Sequence, residues 1–358
     1  MSNQIPTEQI GSIPRTQRLI DAYRKYDAGK LGVDILDQIA QEETITVVRE
    51  LEDLGCPVIS DGEQRKFDGF AHYCLHGSDR FNGKGLSVVF SDGHVRELSP
   101  TLTKPPFKYQ HTADEYLEFV LKHAHVPVKQ AIISPSMLSL LYPVDGLEGY
   151  SRTQFFDDLV KAHVEEVRRC LAIGAHKVQI DFTEARLSLK LDPSGGMLDA
   201  FVDLINQCLS HFNDEEIQKI GIHTCPGGDM DATHSADVDY KFLLPTLFKI
   251  RAGNFYVAMA GEENPRKALR LIKNIIQPFQ RVFVGVINPI VSEIETANKV
   301  RDRILEAAEY IPLEQLGTTD DCGFSPFTDD TSTSRDIVYQ KIRARLEGTR
   351  LAEDILFK

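Results

Sequence analysis

Two separated motifs in this chain carry residues that bind soft metal ions. The stretch KIGIHTCPGG at 219–228 places His223 and Cys225 at the end of a short apolar run, just before a Pro-Gly-Gly turn. Residues two apart in an extended chain point to the same face, so this imidazole and this thiolate can converge on one ion. The stretch TDDCGF at 319–324 adds Cys322, where another apolar run meets a glycine.

One imidazole and two thiolates form a nitrogen and sulfur ligand set that suits zinc. Three protein ligands leave the fourth tetrahedral position open, which is typical of a catalytic rather than a structural zinc site. The competing interpretation is structural, because most buried cysteines are small apolar core residues and a lone His-x-Cys motif is weakly specific. The choice between the two interpretations depends on the elements that position both motifs.

The segments around these motifs alternate between strand and helix. We predict strands at 5–12, 57–60, 129–133, 177–181, 220–222, 255–259, 281–287 and 315–319, and helices at 15–25, 34–54, 113–122, 152–171, 197–212, 237–250, 265–276, 293–310 and 334–351. Eight strands alternating with helices predict an α/β fold, a single (β/α)8 TIM-type barrel. A doubly wound open sheet is the alternative, and it is less favoured because no glycine-rich dinucleotide motif follows a strand.

Residues 80–110 interrupt this alternation. The segments 87–90 and 94–98 flank Ser-Asp-Gly at 91–93 and predict a β-hairpin excursion. We expect this hairpin to lie near the rim of the barrel that carries the site, where it would help to shape the pocket of the second substrate.

Active sites of such barrels lie at the carboxyl ends of the strands. In this chain those ends carry acids, hydroxyls, thiols, an imidazole and an amide, namely Ser12, Asp61, Glu63, Ser134, Ser136, Asp181, Glu184, His223, Cys225, Glu262, Glu263, Asn288, Asp320, Asp321 and Cys322. Asp61, Ser136 and Asp321 taken singly favour an ordinary structural role, as loop residues or helix caps. The concentration of so many such groups on one rim nevertheless indicates an active site.

Composition narrows the class of partner. The net charge of −13 argues against nucleic acid or an anionic membrane as the main partner. The six cysteines are scattered along the chain, which favours free thiols in a reducing, cytoplasmic setting. No apolar run of the ~18 residues that a membrane span needs is present, and residues 1–16 lack the pattern of a signal peptide. We therefore expect small-molecule substrates, and the sequence leaves open whether the chain forms a homo-oligomer.

Five sequence blocks together resemble the catalytic half of cobalamin-independent methionine synthase. They are IGSIPR at 10–15, DGEQR at 61–65, QID at 179–181, HTC at 223–225 and DCGF at 321–324. The resemblance covers nearly the whole chain apart from 80–110, and it implies one barrel domain over residues 1–358. It also implies a zinc ion (Zn2+) bound by His223, Cys225 and Cys322, which activates a thiol such as homocysteine for methylation in methionine biosynthesis.

The same resemblance implies how the substrate thiol is bound. The backbone of Ile10 and Ser12 would hold its carboxylate, and the acids Glu63 and Asp181 would hold its amino group at the catalytic centre. The chain departs from the family in three respects. Residues 182–184 read Phe-Thr-Glu where the family has Glu-Pro, no carboxylate aligns clearly as a fourth zinc ligand except the substitute Glu262, and tryptophan is absent. Because folate-dependent members stack the pterin on tryptophan, the alkyl donor stays open between a folate, a corrinoid, an epoxide and another activated methyl compound.

A related branch, the epoxyalkane:coenzyme M transferases, resembles the chain about as well. These single-barrel enzymes open an epoxide with a zinc-bound thiolate, and a single barrel without tryptophan suits that branch. The pair Glu63 and Asp181, in contrast, suits an amino-bearing thiol better than a sulfonate. A zinc hydrolase or lyase and a non-catalytic barrel are the remaining alternatives.

Overall fold

A parallel sheet forms the centre of the molecule in the computed structural model, which describes residues 4–67, 69–82, 85–97 and 100–358. The strands in chain order are β1 (Phe81–Asn82), β2 (Ser87–Val89), β3 (Val95–Glu97), β4 (Thr101–Leu102), β5 (Lys129–Ile133), β6 (Lys177–Asp181), β7 (Ile220–Thr224), β8 (Gly228–Asp229), β9 (Ala232–Thr233), β10 (Asn254–Val257), β11 (Arg281–Ile287) and β12 (Leu316–Asp320). Six of them form the central sheet, in the order β12-β11-β10-β7-β6-β5.

Helices separate most of these strands along the chain. They are α1 (Gln17–Asp27), α2 (Val33–Asp53), α3 (Ala113–Leu121), α4 (Pro135–Ser139), α5 (Arg152–Ala172), α6 (Glu184–Leu191), α7 (Gly196–Leu209), α8 (Asp214–Ile217), α9 (Tyr240–Leu247), α10 (Pro265–Ile275), α11 (Ala297–Ala308) and α12 (Arg335–Leu356). Local sequence sets their starts. The capping box of α5, for example, pairs Ser151 and Gln154, whose side chains accept from each other's backbone N–H. No helix in the described ranges is long and apolar enough to span a bilayer.

The register of the sheet brings the predicted site residues side by side. Every residue of β5, β6 and β7 is buried, as in a parallel sheet that is covered on both faces. Asp181 at the end of β6 pairs with Ile133 of β5 and with His223 of β7. The α/β class with a parallel sheet is thus confirmed, and the carboxyl ends of these strands lie at one edge.

The two predicted strands nearest the N-terminus are each reduced to a single bridge. Thr7 forms an isolated parallel bridge with Thr318 of β12, and Ile59 forms one with Val128 next to β5. These two segments also meet each other, because the Ser60 hydroxyl donates to the Gly11 carbonyl over 2.8 Å. The predictions of full strands at 5–12 and 57–60 are therefore wrong. Pro6 and Pro57 help to explain this result, since proline has no N–H to donate to a ladder.

The predicted hairpin is confirmed over its described residues, and residues 83, 84, 98 and 99 of the excursion lie outside the described ranges. Strands β2 and β3 pair antiparallel, with Val88 opposite Arg96, and β1 pairs with β4 at the base of the excursion. The sequence prediction missed the short ribbon of β8 and β9, and it missed α6 directly after β6.

A buried polar cluster lies at the opposite, amino ends of the strands. The carboxylate of Glu8 accepts hydrogen bonds from Lys177 Nζ at 2.5 Å and from the Tyr256 hydroxyl at 2.6 Å. Lys129 Nζ lies 3.6 Å from the same carboxylate. Burial by itself raises the pKa of Glu8, but the two lysines outweigh it and lower that pKa to about 2. This cluster stabilises the fold away from the predicted site.

Candidate active site

The structure brings the three predicted metal ligands together. His223 is the penultimate residue of β7, and Cys225 follows that strand directly. Cys322 lies two residues after the end of β12. Their ligand atoms lie within 4.8 Å of one another, and all three residues are buried. The two sulfur atoms are 3.2 Å apart. Two motifs that are 97 residues apart in the chain thus form one nitrogen and sulfur cluster.

The glycine turn after Cys225 makes this approach possible. Gly227 has φ = +72°, a conformation that side chains disfavour, and a Cβ there would lie 1.7 Å from Nε2 of His234. Its backbone N–H points to Cys225 Sγ over 3.4 Å. A Cβ at Gly228 would collide with Ile290, at 2.6 Å. The Pro-Gly-Gly sequence is therefore needed to fold the chain tightly past the two sulfur atoms.

His223 is held as zinc-binding histidines usually are. Its Nδ1 lies 3.1 Å from Oδ1 of Asp181, and metal-bound histidines usually donate their second ring N–H to such a carboxylate. Its Nε2 lies 3.3 Å from the carbonyl oxygen of Asp321. Burial alone lowers the pKa of His223, but the hydrogen bond and charge of Asp181 outweigh it, and the net shift is upward.

The thiols fit a divalent cation for electrostatic reasons. The hydrogen bond with Cys225, followed by burial, raises the pKa of Cys322 well above its ordinary value. Two neighbouring buried thiols become thiolates together only when a positive ion offsets their charge. The nitrogen and sulfur donors, their spacing and the carboxylate behind the imidazole all fit Zn2+.

Glu262 does not join this cluster. Its Oε1 accepts from Arg186 at 2.5 Å, and the Arg186 guanidinium stacks on Tyr240 with 3.8 Å to the ring centroid. Among the described residues, no carboxylate belongs to the group of converging ligands. The arrangement therefore offers three protein ligands, and the substitution of Glu262 for a fourth ligand finds no support in the structure.

One cavity collects most of the predicted site residues. It encloses about 490 Å³ of empty space, part of it open to solvent. Its lining includes six of the seven residues predicted for the site, which are Ile10, Ser12, Glu63, Asp181, His223 and Cys322. The three phenylalanines Phe70, Phe90 and Phe327 complete much of the wall. Cys225 is not among the lining residues.

Glu63 has a partner that the sequence prediction missed. Its Oε1 lies 3.2 Å from Nζ of Lys66, which is fully buried and also donates to the carbonyl of Ala131 over 2.9 Å. The other oxygen of Glu63, Oε2, is buried without a hydrogen-bond partner among the described residues. Burial raises the pKa of Glu63, and the charge of Lys66 only partly opposes that shift. Oε2 of Glu63 is therefore available to accept a hydrogen bond from a ligand in the cavity.

The backbone carbonyls of Ile10 and Ser12 and the hydroxyl of Ser12 already have hydrogen-bond partners in the protein. Ser12 accepts from Phe324 N at its carbonyl and from Ser325 N at its hydroxyl, each over 3.1 Å. The carbonyl of Ile10 accepts from Gln179 Nε2, also over 3.1 Å. The backbone N–H groups of Ile10 and Ser12, which are predicted to bind a substrate carboxylate, are not part of these hydrogen bonds.

Three rim residues have hydrogen-bond partners within the protein. This agrees with the structural role that the sequence favours for each of them taken singly. Asp321 accepts from the backbone N–H groups of residues 259, 260 and 261, Asp61 accepts from Glu63 N over 3.0 Å, and Ser136 donates to Glu184 over 2.5 Å. Glu184 also accepts from Ser134 over 2.5 Å, and burial raises its pKa to about 7. These groups shape the rim without lining the cavity.

The hairpin lies beside the site, as predicted. Phe90, directly after β2, lines the cavity and contacts His234 edge to face at 5.3 Å. Arg96 of β3 forms an ion pair with the buried Asp229 of β8, four residues after Cys225. His94 Nε2 lies 3.0 Å from the same carboxylate. The excursion is thereby attached to the turn that carries one of the sulfur atoms.

Comparison with known proteins gives one consistent result. Residues 5–335 match the family model described as the catalytic domain of cobalamin-independent synthase. The methionine synthase of Saccharolobus solfataricus is 25% identical over 353 residues, which is 98% of this chain and 96% of that protein. The methionine synthase of Sulfolobus acidocaldarius is 25% identical over 364 residues, which is 100% of this chain and 96% of that protein.

Solved structures agree on the fold. A B12-independent methionine synthase from Shewanella sp. W3-18-1, solved in complex with selenomethionine, superposes with a TM-score of 0.75 at 20% identity and 99% coverage of both chains. A methyltransferase from Methanosarcina mazei gives a TM-score of 0.51 at 14% identity, covering 100% of this chain and 96% of the other.

Proposed function

Because this chain belongs to the cobalamin-independent synthase family and is thus a methyl-transferring transferase, we propose that it is a zinc-dependent thiol S-alkyltransferase. Its acceptor would be a small thiol such as homocysteine, and the reaction would belong to methionine biosynthesis in the cytoplasm. The observation that carries this proposal is the convergence of His223, Cys225 and Cys322 beside a cavity that two carboxylates also line.

We further propose that residues 1–358 form one closed (β/α)8 domain. The bridges of Thr7 to β12 and of Ile59 toward β5 support this proposal, since they extend the central sheet at both of its edges. The hydrogen bond from Ile13 N to Gly62 O, at 3.0 Å, links the same two segments to each other. Closure would place every strand end of the site on one rim.

Zn2+ bound by His223, Cys225 and Cys322 would stabilise the substrate thiol as its thiolate at neutral pH. Asp181 contacts Nδ1 of the His223 ring, so the ion would be bound by Nε2, which lies 3.3 Å from the carbonyl oxygen of Asp321. The sulfurs of Cys225 and Cys322 would reduce the net positive charge of a bound zinc ion, which would favour nucleophilic sulfur over the activation of water. The family's chemistry therefore needs no covalent nucleophile from the protein.

The lining of the cavity favours an amino-bearing thiol. The unpartnered Oε2 of Glu63 and the carboxylate of Asp181 offer acceptors for an ammonium group. No lysine or arginine is among the described residues that line the cavity. The sulfonate of coenzyme M would therefore lack a cationic partner there, whereas the ammonium of homocysteine would meet the carboxyl groups of Glu63 and Asp181. This contrast favours the homocysteine branch over the epoxide branch.

X-ray absorption at the zinc edge of the metal-loaded protein tests both the metal and the thiol. We expect about one zinc per chain with one nitrogen and two sulfur ligands, and a third sulfur ligand when homocysteine is added. Coenzyme M at the same concentration should add none. Absence of zinc, or zinc that gains no sulfur ligand with either thiol, would contradict the proposal. A third sulfur ligand with coenzyme M but not with homocysteine would favour the epoxide branch instead.

The Glu63→Gln variant sharpens this experiment, with Glu184→Gln as its matched control. Both residues are buried acids on the same rim, but only Glu63 lines the cavity. The homocysteine concentration that saturates the spectral change should rise only in the Glu63 variant.

A further inference from the structure

Three phenylalanine rings form an aromatic wall in the same cavity. Phe70, Phe90 and Phe327 come from three separate segments, and they are 8%, 4% and 8% exposed. Phe70 and Phe327 meet edge to face, with their centroids 5.7 Å apart. We call these three residues the aromatic wall. The ring faces carry negative partial charge, so such a wall attracts cations as well as apolar groups.

The charges around the wall decide between these two kinds of ligand. Glu63, Asp181 and the sulfur of Cys322 line the cavity together with the rings, while the described lining includes no lysine or arginine. The wall itself already binds one cation from outside the cavity, since the guanidinium of Arg96 lies 4.7 Å from the Phe327 centroid. Asp229 and Asp329 pair with that guanidinium and balance its charge. A cationic ligand is therefore favoured inside the cavity.

We propose that the alkyl donor is a small methyl onium compound, in which the transferred methyl group is bonded to a positively charged sulfur held against the aromatic wall. This inference rests on the proposed function and specifies the class of its second substrate. The positive charge places the methyl carbon between the ring faces and the anionic groups of the cavity.

The electron balance of the transfer suits such a donor. The thiolate sulfur of the acceptor forms a new bond to the methyl carbon, and the bond from that carbon to the onium sulfur breaks. The bonding pair stays with the leaving sulfur, which departs as a neutral sulfide. No proton has to be supplied to the leaving sulfide. A tertiary amine donor such as a methylated folate would, in contrast, need a proton on its leaving nitrogen.

The lining also disfavours a folate tail. The carboxylates of that tail would meet Glu63 and Asp181, and no lysine or arginine is among the described residues that line the cavity.

Binding of a non-reactive cation tests the wall independently of turnover. Choline and 3,3-dimethyl-1-butanol have the same shape and differ in charge, and both can be titrated calorimetrically into the zinc-loaded full-length protein. We expect choline to bind at least tenfold more tightly, which corresponds to about 1.4 kcal/mol. Equal affinities, or tighter binding of the neutral alcohol, would overturn the proposal.

Substitutions locate the binding site. Phe90→Leu and Phe70→Leu keep an apolar side chain but remove a ring, and each should weaken choline about tenfold while changing the affinity for the neutral alcohol less than twofold. The matched control is Phe242→Leu, because Phe242 is 60% exposed on α9 and does not line the cavity. Because Phe90 also packs in the hairpin, the Phe70 variant guards against a folding defect. Unchanged choline binding in both wall variants would overturn the assignment.

Turnover with trimethylsulfonium then separates this proposal from the proposed function. With homocysteine as acceptor, we expect methionine and dimethyl sulfide in equal amounts, at a rate above that with 5-methyltetrahydrofolate. Methylation by the folate but not by the sulfonium would overturn the onium assignment and leave the proposed function standing. Absence of methyl transfer from every donor, with zinc bound, would overturn the proposed function and the donor assignment with it.

Discussion

Replacing Asp181 by asparagine tests how the carboxylate beside the His223 ring supports the proposed metal centre. Asp181→Asn keeps the size of the side chain but removes the charge that lies 3.1 Å from Nδ1 of His223. A hydrogen bond to a charged group contributes about 1.5–3 kcal/mol, which is roughly 10- to 160-fold in a binding constant. Loss of carboxylate partners of metal-bound histidines typically weakens metal binding by about 10- to 100-fold. We therefore expect zinc affinity to fall by about one to two decades.

A chelator competition titration at pH 7 measures this change directly. The matched control is Glu184→Gln, which alters a buried carboxyl group three residues further along the chain. Ser134 and Ser136 hydrogen-bond to Glu184, and burial raises its pKa to about 7, so the neutral amide resembles a form that the native side chain already adopts. Zinc affinity should stay within about twofold in this control. Unchanged affinity in the Asp181 variant, or an equal loss in both variants, would refute the reasoning.

Three further predictions concern the ligands, the substrate and the fold. Cys225→Ser and Cys322→Ser should each abolish stoichiometric zinc by elemental analysis while circular dichroism stays native, and Cys208→Ser, which changes a buried core thiol, should keep its zinc; full occupancy in both ligand variants would contradict the site. Glu63→Gln should raise the KM for homocysteine by about one to two decades with a smaller change in kcat, because a charge-assisted contact contributes roughly 1.5–3 kcal/mol; steady-state kinetics with an unchanged KM would remove Glu63 from substrate binding. The pKa of Glu8 is about 2 in the folded protein against an ordinary 4.5, so its contribution of about 3 kcal/mol to the free energy of unfolding should be present above pH 4.5 and be lost as the pH falls toward 2. Denaturant titrations across that range should show a shallower loss in Glu8→Gln, and parallel curves would contradict this role.

The central strands could be predicted from the sequence because their residues are buried on both faces. Strands β5, β6 and β11 begin and end at the predicted residues, since continuous runs rich in valine and isoleucine are bounded there by polar or turn residues. The ligand motifs were recognisable for a related reason. His223 and Cys225 follow such a strand directly, and the parallel register then aligns His223 with Asp181.

Sequence patterns failed where a segment forms one isolated bridge rather than a continuous ladder. Residues 5–12 and 57–60 look like strands, but each contributes one bridge, and hydrogen bonds such as the one from Ser60 to Gly11 connect them. Glu262 looked like a substitute ligand because it follows a strand. Arg186, which is 76 residues away in the chain, pairs with its carboxylate instead.

The sequence by itself determined the α/β class, the candidate ligands His223, Cys225 and Cys322 and the strand ends that carry them, because strand periodicity and the donor chemistry of imidazole and thiolate are local properties. Only the tertiary structure decided which charges and rings meet in the cavity. Lys66 neutralises one oxygen of Glu63 and leaves the other without a partner, and the hairpin brings Phe90 to the same space. These contacts depend on the packing of segments far apart in the chain, which no local pattern encodes.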